Sequence, residues 1–358
     1  MKEGRTLQAL AEEINRQQLS KKDYVVGTDL MELTERNGAM VMEVPSLQAP
    51  TWGIQDLAHT QIAEFSGIPV RYYDRMRSEA PELLARNVNH WLHEKKAPRM
   101  VRTLDGNVRA FLSNRYLRMD HTQMMNHVLP VIAETEAQIR SAEVTPTRLY
   151  IKTVIPKMEG EVKKGDIVRF GAVFTNSEVG LGKVKVEPFI ERLVCLNGLI
   201  LARSDFGFFE RTHLGGEQDL TVEGGNIFAS DTLEADSQAT WLKVRDIMRT
   251  FLNPKRMEDM LELLRASMDQ RIEGDIPGAV KVASKALELT QEEESGVLRY
   301  LISGGDLSKW GLANAITRAA ADSTSYDRAT EIEAAGGNLL SLTKDEWMEV
   351  ATAKPSKN

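Results

Sequence analysis

Six histidines (His59, His90, His93, His121, His127, His213) and one cysteine (Cys195) bound the catalytic chemistry this chain can carry. His90 and His93 stand three apart on a helical pattern with Glu94 beside them, a spacing that can offer two imidazoles to a metal. Such a site needs more ligands, and Trp91 and Leu92 favour plain helix packing. His121 and His127 lie six apart on another predicted helix, too far round to share a face. Cys195 falls in an apolar run read as a strand, where an inert buried thiol is commoner than a nucleophile. There is no serine elbow, Walker loop or HExxH, and Gly180-Leu181-Gly182 sits in a strand–strand turn where a dinucleotide fingerprint cannot work. No enzyme, cofactor or metal site is therefore expected.

Binding chemistry is better represented. Gln61 to Met76 (QIAEFSGIPVRYYDRM) has a small residue at Ala63, Gly67 four later at a turn, and then a helix bearing arginine and tyrosine. That order resembles a helix-turn-helix, in which Arg71, Arg75 and Arg77 would meet the phosphates or bases of a duplex. Two packed helices joined by a glycine turn give the same pattern. A second candidate is a charged sheet face. Residues 86–118 carry eight basic side chains against two acidic ones, whereas residues 212–300 hold 10 basic against 17 acidic. The net charge of −7 thus conceals a basic stretch, and local field decides whether a polyanion docks. Arg148, Tyr150, Lys152, Lys183 and Lys185 fall on one side of the predicted strands. Arg99, Arg102, Arg109, Arg115 and Arg118 would extend them into a track for single-stranded nucleic acid, with Tyr150 or Tyr116 stacking on bases. Glu187 and Glu191 share that face and weaken it.

The elements that must position these residues follow from periodicity. Leu7 to about Gln17 reads as helix, residues 38–45 as a strand, and 54–94 as helices broken near Ser66–Pro69 and Ala80-Pro81. Arg99–Leu104 and Asn107–Leu112 form a hairpin about Asp105-Gly106, and His121 to Glu134 a helix. From Gln138 to Ala202 the alternation is that of antiparallel hairpins: Leu149, Ile151 and Ile155 against Arg148, Tyr150 and Lys152, then Val184, Val186, Ile190 and Val194 against Lys183, Lys185, Glu187 and Glu191. Asn176 to Gly182 is one turn and Asn197-Gly198 a second. After Gly224-Gly225 the pattern is helical, with Thr290 and Glu293 spaced for a capping box and Gly336-Gly337 ending the last long helix. The expected fold class is α+β: a central antiparallel sheet with flanking helices, then an all-helical C-terminal region. The expected divisions are 1–50, 51–225 and 226–358.

At 358 residues with 42% hydrophobic and 27% charged, the chain can bury a sizeable core. No apolar run is long enough to span a bilayer, no signal-type leader opens the chain, and a single cysteine excludes an internal disulfide. The cytoplasm of a host cell is the expected location.

Leu112-Ser113-Asn114-Arg115-Tyr116, Asn176-Ser177-Glu178-Val179-Gly180, Leu193-Val194-Cys195-Leu196-Asn197-Gly198 and Asn314-Ala315-Ile316-Thr317, before the Glu333-to-Gly337 helix end, occur in that order. Together they resemble the phage/plasmid-like protein family (domain of unknown function 932) over residues 55 to 340. The resemblance implies a phage, prophage or plasmid setting and supplies no catalytic residues. The succession of helix, four strands and helix from 121 to 251 is loosely similar to the annealing domain of single-strand annealing proteins, a likeness of fold order alone. The leading expectation is a nucleic-acid-associated accessory protein that binds or anneals single-stranded DNA in recombination or replication, as a homo-oligomer. Two alternatives stand beside it: a duplex-binding regulator using residues 61–77, and a host-directed protein that counters a defence system through its acidic helical region.

Overall fold

The computed structural model describes residues 1–355 apart from 48–50, 202–207, 214–220, 223–224, 227–229 and 252; Gly224, read above as part of a boundary, lies outside the described residues. The first sheet comprises β1 (Lys22–Gly27), β2 (Glu32–Arg36), β3 (Ala39–Glu43), β4 (Trp52–Ile54), β5 (Pro98–Leu104) and β6 (Asn107–Ser113), in the order β1-β5-β6-β4-β3-β2. All its pairings are antiparallel except β4 with β6. The Asp105-Gly106 turn closes the β5–β6 hairpin with φ of 52° and 75°, as two positive-φ residues in a tight turn require. One face of this sheet, through Leu33, Met42, Trp52, Val101, Val108 and Phe111, packs on α2 (Asp56–Ser66), α3 (Val70–Glu79) and α4 (Pro81–Glu94). Strands β1 and β2 fall between the helix and the strand expected from periodicity and were not anticipated. Each buries one apolar side chain, Val26 or Leu33, so there was no alternation to detect.

The second sheet is the predicted set of hairpins: β7 (Gln138–Val144), β8 (Leu149–Lys163), β9 (Asp166–Asn176), β10 (Val184–Arg192) and β11 (Asn197–Ile200), in the order β11-β10-β9-β8-β7. A short β12 (Phe209–Arg211) runs beside the start of β10. With its helical C-terminal region, the protein is α+β. One sheet face, carrying Ile151, Ala172, Phe174, Val184 and Val186, is covered by α1 (Leu7–Ser20), α5 (His121–Glu134) and α6 (Ser230–Phe251). The register Lys152↔Val173↔Glu187 and Gly171↔Phe189↔Ile200 defines the opposite face. It was expected to be wet, yet it is buried beneath α11 (Tyr326–Leu340). Val154, Val173, Phe189 and Ile200 form an apolar patch there with Ala334. Around the β8–β11 end, α11 shares one core with α7 (Pro254–Asp269), α8 (Ile276–Ala286), α9 (Gln291–Gly304), α10 (Lys309–Ala319) and α12 (Lys344–Ala351). The capping box at Thr290 and Glu293 forms as its spacing required.

Two turn readings are corrected by this packing. Asn197-Gly198 is not the hairpin turn. Asn197 pairs with Arg192 in the ladder, leaving residues 193–196 as the loop, with Leu196 at φ 51°. Cys195 and Val194 therefore sit in a loop, not in a strand, and Val194 is exposed. Likewise Gly336-Gly337 does not end a helix. Helix α11 runs on to Leu340, because the two glycines let it lie directly on β11 and α10. A Cβ on Gly337 would fall 1.9 Å from the Ile200 carbonyl oxygen, and one on Gly336 2.3 Å from Thr317. Gly337→Ala is accordingly expected to destabilise the protein by about 2 kcal/mol through overpacking against backbone that cannot retreat, read as a lower urea midpoint. Gly304→Ala, which meets open space, serves as the control.

Candidate nucleic-acid interface

The segment from Gln61 to Met76 folds as two helices about a left-handed glycine. Helix α2 ends at Gly67, φ 69°, and the amides of Gly67 and Ile68 donate to the carbonyls of Glu64 and Ala63. This is the glycine C-cap that lets the chain reverse tightly. Ile62, Ala63, Ile68, Tyr73 and Met76 are buried, and the Tyr73 hydroxyl lies 2.8 Å from His59 Nδ1, tying α3 to α2. Burial holds the His59 imidazole at about 4, so it is neutral near pH 7. Facing outward on α3 are Arg71, Tyr72, Asp74, Arg75, Ser78 and Glu79. Arg75 pairs with Glu79 (2.8 Å) and Arg77 with Asp56 (2.9 Å), both surface pairs of small worth. Arg71 has no ion pair among the described residues.

The expected single-strand track does not assemble. Lys152 is fully buried and pairs with Glu333 of α11 at 2.5 Å, and Tyr150 packs on Tyr326 with ring centroids 5.4 Å apart. Arg102, also fully buried, pairs with Asp23 and Asp120 at 2.8 Å each, and Arg109 pairs with buried Glu178. Burial without compensation is costly for a cation, so each of these found a carboxylate distant in sequence. Lys152, Arg102 and Arg109 are thus neutralised by carboxylates and not arrayed on an outer sheet face. Those nearer the surface are dispersed: Lys183 meets Glu210, Lys185 meets Glu187, Arg118 meets Asp23, and Arg148 donates to the Leu181 carbonyl. Arg115 is exposed.

Of the track, Arg99 stands apart. Its guanidinium lies 4.4 Å from the centre of the Phe65 ring and 5.6 Å from that of Phe111, and Lys95 approaches the same Phe65 ring at 5.4 Å and that of the half-exposed Trp91 at 5.7 Å. Lys95 also donates to the Phe65 carbonyl at the end of α2, where a cation meets the negative end of the helix. The sequence reading included Arg99 in the track but missed this stack. Its signal, Lys95-Lys96-Ala97-Pro98-Arg99 directly after a helix, was visible only as net charge.

Glu178, at the tip of the β9–β10 turn, joins the two sheets. It accepts from Lys21, from Arg109 and from the His121 amide, while its own carbonyl accepts from Arg102. Burial alone would raise its carboxyl, but His121, Arg109, Lys21 and Arg102 hold it well below the usual range. Burial in turn depresses the His121 imidazole, leaving it neutral near pH 7, so the three permanent cations do most of the holding. Beside this group a cleft of about 320 Å³ opens between Arg5, Arg16, Gln17, Arg109, His121 and Thr147. The segments quoted for the family resemblance meet in two places. At the first, Tyr116 donates to the Ser177 carbonyl and Asn176 to that of Met119. At the second, Asn197 donates to Asn314 and Thr317, close to Gly198 and Glu333.

His93 lies 3.1 Å from the Met31 carbonyl while His90 packs edge-on to Trp91, so the two imidazoles serve different contacts. Among the described residues no three His, Cys, Asp or Glu side chains are grouped to hold a metal, and no helix is long and apolar enough to cross a membrane. The chain matches no family model, no curated protein and no solved structure.

Proposed function

We propose that this is a DNA-binding accessory protein of a phage or plasmid that contacts duplex DNA through α3. One observation carries the reading: α2, left-handed Gly67 and α3 have the burial pattern of a helix-turn-helix, with Ala63, Ile68, Tyr73 and Met76 inside and Arg71, Tyr72 and Arg75 outside. The cations Lys95 and Arg99 follow α4 and lie against Phe65 beside the same turn, so the local field there opposes the net negative charge of the whole chain. The mobile-element setting rests on the family resemblance alone. The single-strand reading loses the sheet face on which it was based and becomes an outcome of the test.

Fluorescence anisotropy of a short labelled duplex and of its single strand, at low and at physiological salt, decides the matter. Duplex binding is expected to weaken as salt rises, and Arg71→Glu with Arg75→Glu to reduce affinity by about tenfold or more. No salt-dependent binding of either nucleic acid would overturn the proposal. A preference for the single strand that survives both substitutions would return the reading to single-strand binding at another surface.

A further inference from the structure

Arg99 is the cation whose environment is least explained by the protein itself. The buried arginines of the basic stretch, Arg102 and Arg109, each have carboxylates within ion-pair distance, whereas Arg99 is only half-buried. Arg99 has none among the described residues. Its Nε is fully buried without a hydrogen-bond partner, and its guanidinium rests on Phe65 and Phe111. Burial accordingly lowers its pKa, with no carboxylate acting the other way. Contact with an aromatic face returns about 0.5–2 kcal/mol, which leaves the cost of removing a guanidinium from water only partly offset. Lys95, a second cation, lies against the same ring and brings no counter-charge. Among the described residues neither cation has a carboxylate at ion-pair distance, and a guanidinium can offer paired N–H groups to a phosphate.

We propose that Arg99 and Lys95, held against Phe65, form a phosphate-binding site. The shared ligand chemistry is a phosphate group, supplied either by the backbone of the DNA engaged by α3 or by free phosphate. The first source rests on the proposed function and deepens it. Arg99 would then fix the register of the duplex from outside the groove, as backbone contacts do, while α3 meets the bases. Lys95 follows α4 and its side chain reaches the turn between α2 and α3, its Nζ 3.8 Å from where a Cβ on Gly67 would be, so a backbone strand passing the turn comes within reach of both cations.

The test uses the full chain and two substitutions. Arg99→Met keeps an unbranched stem on Phe65 and Phe111 while removing the fork, and Lys95→Gln alters an exposed side chain. With the labelled duplex, each is expected to weaken binding by several fold and to lower the slope of log affinity against log salt by about one. If Arg99→Met does not fold, as judged by circular dichroism, Lys95→Gln carries the measurement. If the duplex binds in an Arg71- and Arg75-dependent way but neither substitution changes the slope, the phosphate site is overturned while the proposed function stands. If no nucleic acid binds, the proposed function fails and the second arm decides: inorganic phosphate, against chloride of equal ionic strength, should raise the thermal midpoint of the wild type more than that of either variant. An equal response in all three overturns the site.

Discussion

Glu178→Ala is expected to remove about 3–5 kcal/mol of stability, seen as a large fall in the urea midpoint. The carboxylate is buried and gives the buried Arg109 its counter-charge, while also accepting from Lys21 and the His121 amide. Lys21 keeps Asp120, and Arg102 keeps Asp23 and Asp120, so both retain a partner when Glu178 is lost. Among the described residues Arg109 has no second carboxylate at ion-pair distance, and its Nε is already without a hydrogen bond. Truncation therefore leaves a desolvated guanidinium uncompensated, the costly way to break a buried pair. Glu178→Gln keeps the shape and removes only the charge; a loss nearly as large as that of alanine would assign the effect to electrostatics. A loss under about 1 kcal/mol for both would show that water reaches the cluster and screens it.

The pH dependence separates this carboxylate from the histidines. The folded pKa of Glu178 is depressed, so its contribution is complete above the unfolded carboxylate value of about 4.3 and is lost as pH falls through the lower folded value. The gap between wild type and Glu178→Ala should hold constant from neutral pH down to about 4.5 and narrow only below that. The imidazoles of His59 and His213 are held at about 4 by burial, and that of His121 is also depressed. In the unfolded chain these rings protonate near 6.5 while the folded ones remain neutral, so wild type and variant alike lose stability as pH drops from about 6.5 towards 4.

What the sequence disclosed and what it concealed have a common physical origin. Strand alternation, the Asp105-Gly106 turn and the Thr290 capping box are local signals, and each is present where it was read. Alternation sorts side chains onto two faces, but it cannot tell a face that meets water from one that meets a helix. Lys152 reads like Lys96, yet its partner Glu333 lies 181 residues later. Arg102 is matched with Asp23, 79 residues earlier. A charge pairs across the fold or faces solvent according to long-range packing, of which composition carries no trace. The same holds for Gly336-Gly337, where a helix terminator and a close-packing contact are spelt alike until β11 is seen against α11. The two packed helices about Gly67 were legible because their burial pattern runs over sixteen consecutive residues, Gln61 to Met76.

Lys152 and Glu333 allow the sharpest separation of fold stability from specificity. Both side chains are fully buried, with Nζ and Oε2 2.5 Å apart, Lys152 lies 4.7 Å from the centre of the Tyr326 ring, and Glu333 Oε1 lacks a hydrogen-bond partner. Removing either partner alone leaves a charge stranded between β8 and α11, so Lys152→Met and Glu333→Leu should each cost about 3–5 kcal/mol. Making both changes should recover most of that loss and leave the double variant within about 1 kcal/mol of wild type, because attraction within a buried pair scarcely exceeds the cost of drying both ions. The coupling read from the four urea midpoints would then be several kcal/mol. An additive result would mean that each charge is stabilised by other groups, such as the Tyr326 ring that Lys152 already faces. The pair also bears on how α11 finds its place. The apolar patch of Val154, Val173, Phe189 and Ile200 can accept a helix in more than one register, whereas a lysine and a glutamate that must meet accept one. If the double variant keeps its stability but loses the sharp unfolding transition of the wild type, the ion pair is what selects the register in which the helical region docks on the sheet.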